Sequence, residues 1–171
     1  MDYDRRTNFQ DTWGNSFPVV EFNILGSTTI YKGDLLFYDQ VNKLRDHGSS
    51  TASWTVFPFS KLSGSTGTLE SNKELAKNNF AGVAAWHSDS GVTESIAVYI
   101  DGCFNYPLRG VRHTKVGYKV TPTGSGTTLS DQIVAVESAS TKHIGIVCDS
   151  GDFRSSIDMR IMTFFTTKLE Y

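Results

Sequence analysis

The sequence is short of cysteine, of long apolar runs and of charge imbalance, and each shortage closes off a class of protein. Two cysteines among 171 residues, Cys103 and Cys148, are too few for a disulfide framework. Neither stands at zinc-finger spacing from a histidine or another cysteine, so no metal is expected, and the simplest reading is two reduced, largely buried thiols. No stretch approaches the roughly 18 consecutive apolar residues of a membrane helix, and MDYDRRTNFQDTWGNS lacks the apolar segment of a secretory leader. A soluble chain made in the cytoplasm is expected. The 16 basic and 18 acidic residues leave a formal charge of −2 with no run of like charges. Neither a nucleic-acid groove nor a membrane-attracted face is therefore expected.

Catalytic signatures are missing too. There is no G-x-S-x-G elbow, no Walker loop and no dinucleotide G-x-G-x-x-G. Ser63-Gly64-Ser65-Thr66-Gly67 and Gly124-Ser125-Gly126 match phosphate loops in glycine content only and read as turns. The four histidines, His47, His87, His113 and His143, have no ligand spacing and read as loop or strand-end residues. With no nucleophile, base and orienter in one constellation, the chain is not expected to be an enzyme, and no catalytic residue and no cofactor is assigned.

What is present is turn formers among β-branched and aromatic residues: 15 glycines, abundant serine and threonine, and 12% aromatics. This points to an all-β chain. Its length suits one core. Residues 1–17 are polar, charged and aperiodic but carry Tyr3, Phe9, Trp13 and Phe17. Such a segment cannot build a core of its own, and reads either as an interaction arm or as a tail packed on its own domain. Residues 18–171 read as one β-domain. Strand-like runs are PVVEFNIL, TTIYKGDLLFYD broken at Gly33-Asp34, ASWTVFPF, FAGVAAW, ESIAVYI, KVGYKVTP, QIVAVES, HIGIVC and IDMRIMTFF. One short helix is expected in LESNKELAKNN, with Ser71 and Glu74 as a weak capping box.

An order of elements recurs. Gly33-Asp34-Leu35-Leu36-Phe37 is echoed by Gly117-Tyr118-Lys119-Val120-Thr121, and Phe80-Ala81-Gly82-Val83-Ala84 by His143-Ile144-Gly145-Ile146-Val147. Ser95-Ile96-Ala97-Val98 is matched by Ser156-Ile157-Asp158-Met159. This reads as two related β-units with an insertion in the first, or as chance repetition of a common β pattern. Between the last two strands of each unit stands an Asp-Ser-Gly, at Asp89 and Asp149. Paired carboxylates could serve an aspartic protease, but His87 and Ser88 part Asp89 from its strand, and such turns favour these residue types anyway. The two are expected to be equivalent turn residues, with His87-Ser88 as excess that projects the first turn outward. Trp13, Trp54 and Trp86 could form a sugar platform, although Trp54 and Trp86, within or ending apolar runs, are expected to be partly buried.

The succession Tyr31-Lys32-Gly33-Asp34-Leu35-Leu36, a long connector, Asn79-Phe80-Ala81-Gly82-Val83-Ala84 and Ile96-Ala97-Val98-Tyr99-Ile100-Asp101-Gly102-Cys103-Phe104 resembles the capsid cement, or decoration, proteins of tailed bacteriophages. The resemblance covers residues 30–105 and, more faintly, 115–165. It implies a small β-barrel or β-sandwich and a non-enzymatic protein on the capsid exterior of a virion. The implied partners are the major capsid protein, whose subunits it clamps together, and two further copies in a homotrimer. With it, Phe9, Trp13 and Phe17 become candidate anchors of a capsid-binding arm, and Arg5 and Arg6 candidates for pairing with acidic capsid groups. Alternatives are another virion component (capsid, head-fibre or tail) and a carbohydrate-binding β-sandwich.

Overall fold

The computed structural model describes residues 18–39, 55–62, 67–92 and 95–163. In chain order these form β1 (Val19–Phe22), β2 (Leu35–Asp39), β3 (Thr55–Pro58), α1 (Leu69–Asn78), β4 (Phe80–Ala84), β5 (Ile96–Tyr99), β6 (Cys103–Thr114), β7 (Lys119–Ser125), β8 (Thr128–Val136), β9 (Gly145–Val147) and β10 (Gly151–Ile161). Among the described residues the fold is all-β with one short α-helix, as the composition predicts. β6 is absent from the strands read in the sequence. Pro107 and Gly110 interrupt it, and residues 109–113 are all exposed, so no alternation marks it.

The strands form two groups with one topology. The first is a sheet in the order β1-β5-β4-β2-β3 and the second a closed barrel in the order β6-β10-β9-β7-β8. Replacing each strand by the one five places later converts the first order into the second. The barrel closes through a parallel bridge between Leu108 and Val134. In the first group the outer strands also meet in parallel, at Asn23 and Thr55, where the Val56 N–H donates to the Asn23 carbonyl at 3.0 Å.

Hydrogen bonds set the equivalence residue by residue. The Gly33 N–H donates to the Ala84 carbonyl and the Gly117 N–H to that of Val147, both at 2.9 Å. Both glycines follow tight turns at positive φ, 91° and 85°. Ala85 N–H bonds Ala97, and Cys148 N–H bonds Asp158. Val19 faces Tyr99 in the register in which Cys103 faces Arg160. The repeat is therefore real in backbone geometry, and Gly82 and Gly145 are equivalent as the sequence suggests. Both are glycine because the next strand lies on them. A β-carbon on Gly82 would run into the Tyr99 carbonyl oxygen, and one on Gly145 would lie 2.5 Å from that of Arg160.

Each unit has its own interior. Phe22, Ile24, Leu36, Tyr38, Val56, Ala81, Ala84, Ile96 and Val98 fill the first. Eight of their nine equivalents, Tyr106, Leu108, Val120, Val134, Ile144, Val147, Ile157 and Met159, lie in the larger cluster. That cluster also holds Phe59, just after β3, and Leu35, Phe37, Phe57, Phe80 and Val83, which alternate with the first set along β2, β3 and β4. These strands are buried on both faces, one toward their own interior and one toward the second unit. This explains the near-continuous apolar runs LLFYD and FAGVA. Polar ties cross the same boundary: Tyr106 Oη donates to the Gly33 carbonyl at 2.9 Å and Gln132 Nε2 to Asp34 Oδ1 at 2.6 Å.

The insertion of the first unit supplies α1, which lies against the β7–β8 hairpin. Asn72 Nδ2 donates to the Thr127 carbonyl at 2.7 Å, and Lys142 Nζ sits 2.7 Å from Glu70 Oε2. Its cap corrects the sequence reading. Thr68 is the N-cap, its Oγ1 accepting from the Ser71 N–H, and Ser71 returns the bond from the third helical position. The helix thus starts earlier than a Ser71 cap would place it. At the hairpin tip Gly126, at φ 59°, takes the first central position of a two-residue turn, whereas Gly124 and Ser125, expected to be turn residues, end β7 and pair with Leu129 and Thr128.

Candidate functional site: two exposed aromatic–histidine–aspartate clusters

The loops between β1 and β2 and between β4 and β5 are clipped together by a bridge. Ile30 and Ser88 exchange both backbone bonds, at 2.9 and 2.8 Å. The chain leaves β4 at buried Ala85, and the next residue, Trp86, is 67% exposed. This corrects the expected partial burial. The apolar run ends where the strand turns over the sheet edge, and the last ring of the run falls on the solvent side. The His87 imidazole stacks on Tyr31, with ring centres 5.1 Å apart and planes inclined by 21°. Its Nε2 lies 2.6 Å from Asp89 Oδ1. Lys32 Nζ stands 5.8 Å from the Trp86 ring centre. A shallow depression of about 310 Å³ runs from Trp86 and His87 to Ser95 and Ala97.

The second unit carries a related cluster in equivalent loops. Past Leu108, β6 extends with β10 as a two-stranded ribbon whose register shifts twice, around Arg154. Thr114 pairs Gly151 there, as Ile30 pairs Ser88 in the first unit. Asp152 therefore corresponds to Asp89. His113 Nδ1 lies 2.8 Å from Asp152 Oδ1, and the His113 ring is 4.7 Å from that of Phe153. Phe153 is 75% exposed and sits at φ 53°, the sole non-glycine residue at positive φ among the described residues. A bulky side chain is disfavoured there, and water is a poor environment for its ring. Both costs fall on one residue.

Comparison with protein-family models gives no match, and comparison with curated proteins gives none. Among solved structures, one described as "The crystal structure of head fiber gp8.5 N base in bacteriophage phi29" superposes with a TM-score of 0.44 at 14% identity. The superposition covers 85% of this chain and 95% of that one. Such a likeness lies in part of the backbone course and assigns no activity.

The register also corrects the reading of the two Asp-Ser-Gly turns. Asp149 occupies the place of Trp86, not of Asp89. Its carboxylate pairs with the Arg154 guanidinium at 2.5 Å and accepts from the Asp158 N–H at 3.4 Å. Asp89, Ser90 and Gly91 are exposed, but His87-Ser88 are not the expected excess, since they stand in register with Ser150-Gly151, and the Gly91 N–H is held by the Gly26 carbonyl. The two carboxylates sit in turns of different units with different partners, His87 and Arg154, so they form no proton-sharing pair. Among the described residues neither His87 nor His113 bonds a hydroxyl or thiol that could act as nucleophile. Ring faces, imidazoles and carboxylates on a rigid β-scaffold suit binding.

Arg5, Arg6, Phe9, Trp13 and Phe17 lie outside the described residues, as do Trp54 and His47. His143 is half-buried before β9, and its pKa is held below the ordinary histidine value, first by burial and then by Lys119 and Lys77. The cluster at His113 escapes a search by sequence spacing because its members come from different strands, Asp152 being 39 positions from His113, and at His87 the Asp89 partner is local whereas the stacked Tyr31 comes from another loop. The available signal is the aromatic that directly follows a turn, as in Gly151-Asp152-Phe153.

Proposed function

We propose that the protein is a non-enzymatic structural component of a phage virion that binds the capsid exterior and cements neighbouring subunits of the major capsid protein. The observation that carries this reading is the doubled contact surface. Tyr31, Trp86, His87 and Asp89 in one unit and His113, Asp152 and Phe153 in the other project from equivalent loops of two rigid β-units. Two clusters on one body can engage two neighbouring subunits at once, and the second contact then forms at high effective concentration. Exposed aromatics are the side chains that dominate protein interfaces once buried. The resemblance of residues 30–105 to cement proteins supports the same reading. Residues 1–17 add an arm in which Phe9, Trp13 and Phe17 serve as anchors and Arg5 and Arg6 pair with acidic capsid groups. Three copies associating around a symmetry axis would multiply these contacts.

The test is to add purified protein to expanded capsids lacking it and to measure occupancy and heat resistance. Binding that falls at least tenfold with Trp86→Ala, with Phe153→Ala and with deletion of residues 1–17, while circular dichroism stays unchanged, is expected. Full occupancy by all three variants would overturn the assignment of the surface. The Trp86 ring beside the His87–Asp89 pair favours one other reading, a saccharide platform. Retention on a glycan array without binding to any shell would select it. Sedimentation of free and capsid-bound protein reads the trimer.

A further inference from the structure

We propose that Cys103 and Cys148 are a modification site, forming an intramolecular disulfide when the folded protein meets a low-molecular-weight disulfide. Their sulfurs lie 2.8 Å apart, closer than two non-bonded sulfurs normally pack, whereas a disulfide bond measures about 2.05 Å. Cys103 opens β6 and Cys148 follows β9, with β10 between them. Arg160 of β10 pairs with Cys103, and Asp158 of β10 accepts the Cys148 N–H. The bond would therefore span a middle strand and fasten the two strands on either side of it. Such a staple restrains the barrel where its hydrogen bonds alone hold three strands together.

The repeat gives an independent reason to read the pair as more than packing. Cys103 corresponds to Val19 and Cys148 to Ala85, so the same backbone is built in the first unit without a thiol at either place. Both thiols occur in one unit, and they occur in contact. Burial, followed by the neighbouring Cys148, Asp158 and Asp149, holds the Cys103 thiol protonated well above its ordinary range. Cys148 is half-exposed and is the sulfur that an external reagent reaches first.

The chemistry balances as thiol–disulfide exchange. The Cys148 thiolate attacks one sulfur of the small disulfide, whose S–S bond breaks to release one small thiol and leave a mixed disulfide on Cys148. Cys103 loses its proton to solvent and attacks Cys148 Sγ, forming the protein disulfide and expelling the second small thiol. Two electrons pass from the protein thiols to the reagent, and two small thiols result.

The full chain is incubated with oxidised glutathione and followed by intact mass, maleimide labelling and thermal melting. The expected product is a single chain about 2 Da lighter, inert to maleimide, with a peptide map joining Cys103 to Cys148. Closing the segment of 45 positions between them should raise the melting temperature by about 8–16 °C, reversibly on reduction. Cys103→Val should stop at a stable glutathione adduct on Cys148, and the Cys103→Val, Cys148→Ala double variant should show no thermal response to the reagent. Persistent labelling of both wild-type thiols at equilibrium, a disulfide between chains, a lasting wild-type glutathione adduct, or an unchanged or lowered melting temperature would each overturn the proposal. The wild-type mass and peptide map decide it even if a variant fails to fold.

Discussion

Replacing Gly82 by alanine tests whether the glycine in the middle of β4 is there for want of space. The added β-carbon would meet the Tyr99 carbonyl oxygen and would lie 2.9 Å from Val98 Cγ1 and 3.0 Å from the Tyr99 carbonyl carbon, at a backbone φ of 144°. The backbone strain costs about 1–3 kcal/mol. Forcing β4 and β5 apart in a packed interior costs about 1–3 kcal/mol more. The stiffer unfolded chain offsets only about 0.4–1 kcal/mol. A net loss near 3 kcal/mol is a large share of the about 5–15 kcal/mol of a whole domain, and at this length it lowers the melting point by about 6–12 °C. Gly126→Ala is the matched control, since φ there is 59° and nothing lies within 4 Å of the new carbon. It keeps the strain without the collision and should cost about 1–2 kcal/mol. Gly145→Ala should fall between them, because one of its neighbours is the flexible Met159 side chain. Thermal and urea melts read all three. A Gly82→Ala protein that melts with Gly126→Ala, or within about 2 °C of wild type, would refute the crowding argument.

Tyr106→Phe removes a buried hydroxyl that donates to the Gly33 carbonyl, and should cost about 1 kcal/mol in urea unfolding even though the equivalent residue, Phe22, is already phenylalanine; an unchanged midpoint would show that water replaces the bond. Phe153→Gly relieves positive φ at an exposed site and should leave stability equal or up to about 1 kcal/mol higher while weakening capsid binding; a loss above about 1 kcal/mol would mean that its contact with His113 outweighs the strain. His143 binds its proton at lower pH in the folded chain than in the unfolded one, so the unfolded state holds more protons below the ordinary histidine value. Stability should therefore decline as pH falls from about 7 through about 6.5 and level off below the folded pKa. Urea midpoints of His143→Gln should decline less over that window; parallel curves would remove His143 as the cause.

The all-β class and the glycine-led repeat are legible in the sequence because they arise from local constraints. A tight turn at Gly33 or Gly117 and a crowded strand at Gly82 or Gly145 dictate glycine wherever the unit is built. β6 is illegible because its outer half, residues 109–113, faces solvent, so burial imposes no alternation on the part that pairs with β10. Register is equally hidden. Matching Asp-Ser-Gly to Asp-Ser-Gly aligns Asp89 with Asp149, yet the Ser88 and Gly151 bridges align Asp89 with Asp152. Motif identity and backbone position part company here because turns share residue types whatever strand they follow. Trp86 has the composition of a core residue and the place of a surface one, and only the point at which β4 leaves the sheet separates the two.

The double burial of β2, β3 and β4 bears on how far the duplicated halves remain independent. Divided after Asp101, the first half would keep its own interior but present Leu35, Phe37, Phe57, Phe80 and Val83 to water, and the second would lose the partner of Tyr106 and Gln132. Each fragment alone should expose apolar surface and bind a hydrophobic dye, and mixing them should restore the near-ultraviolet signal of the intact chain. The repeat units are then complementary rather than modular, and the molecule is suited to serve as a split reporter whose signal depends on reassembly.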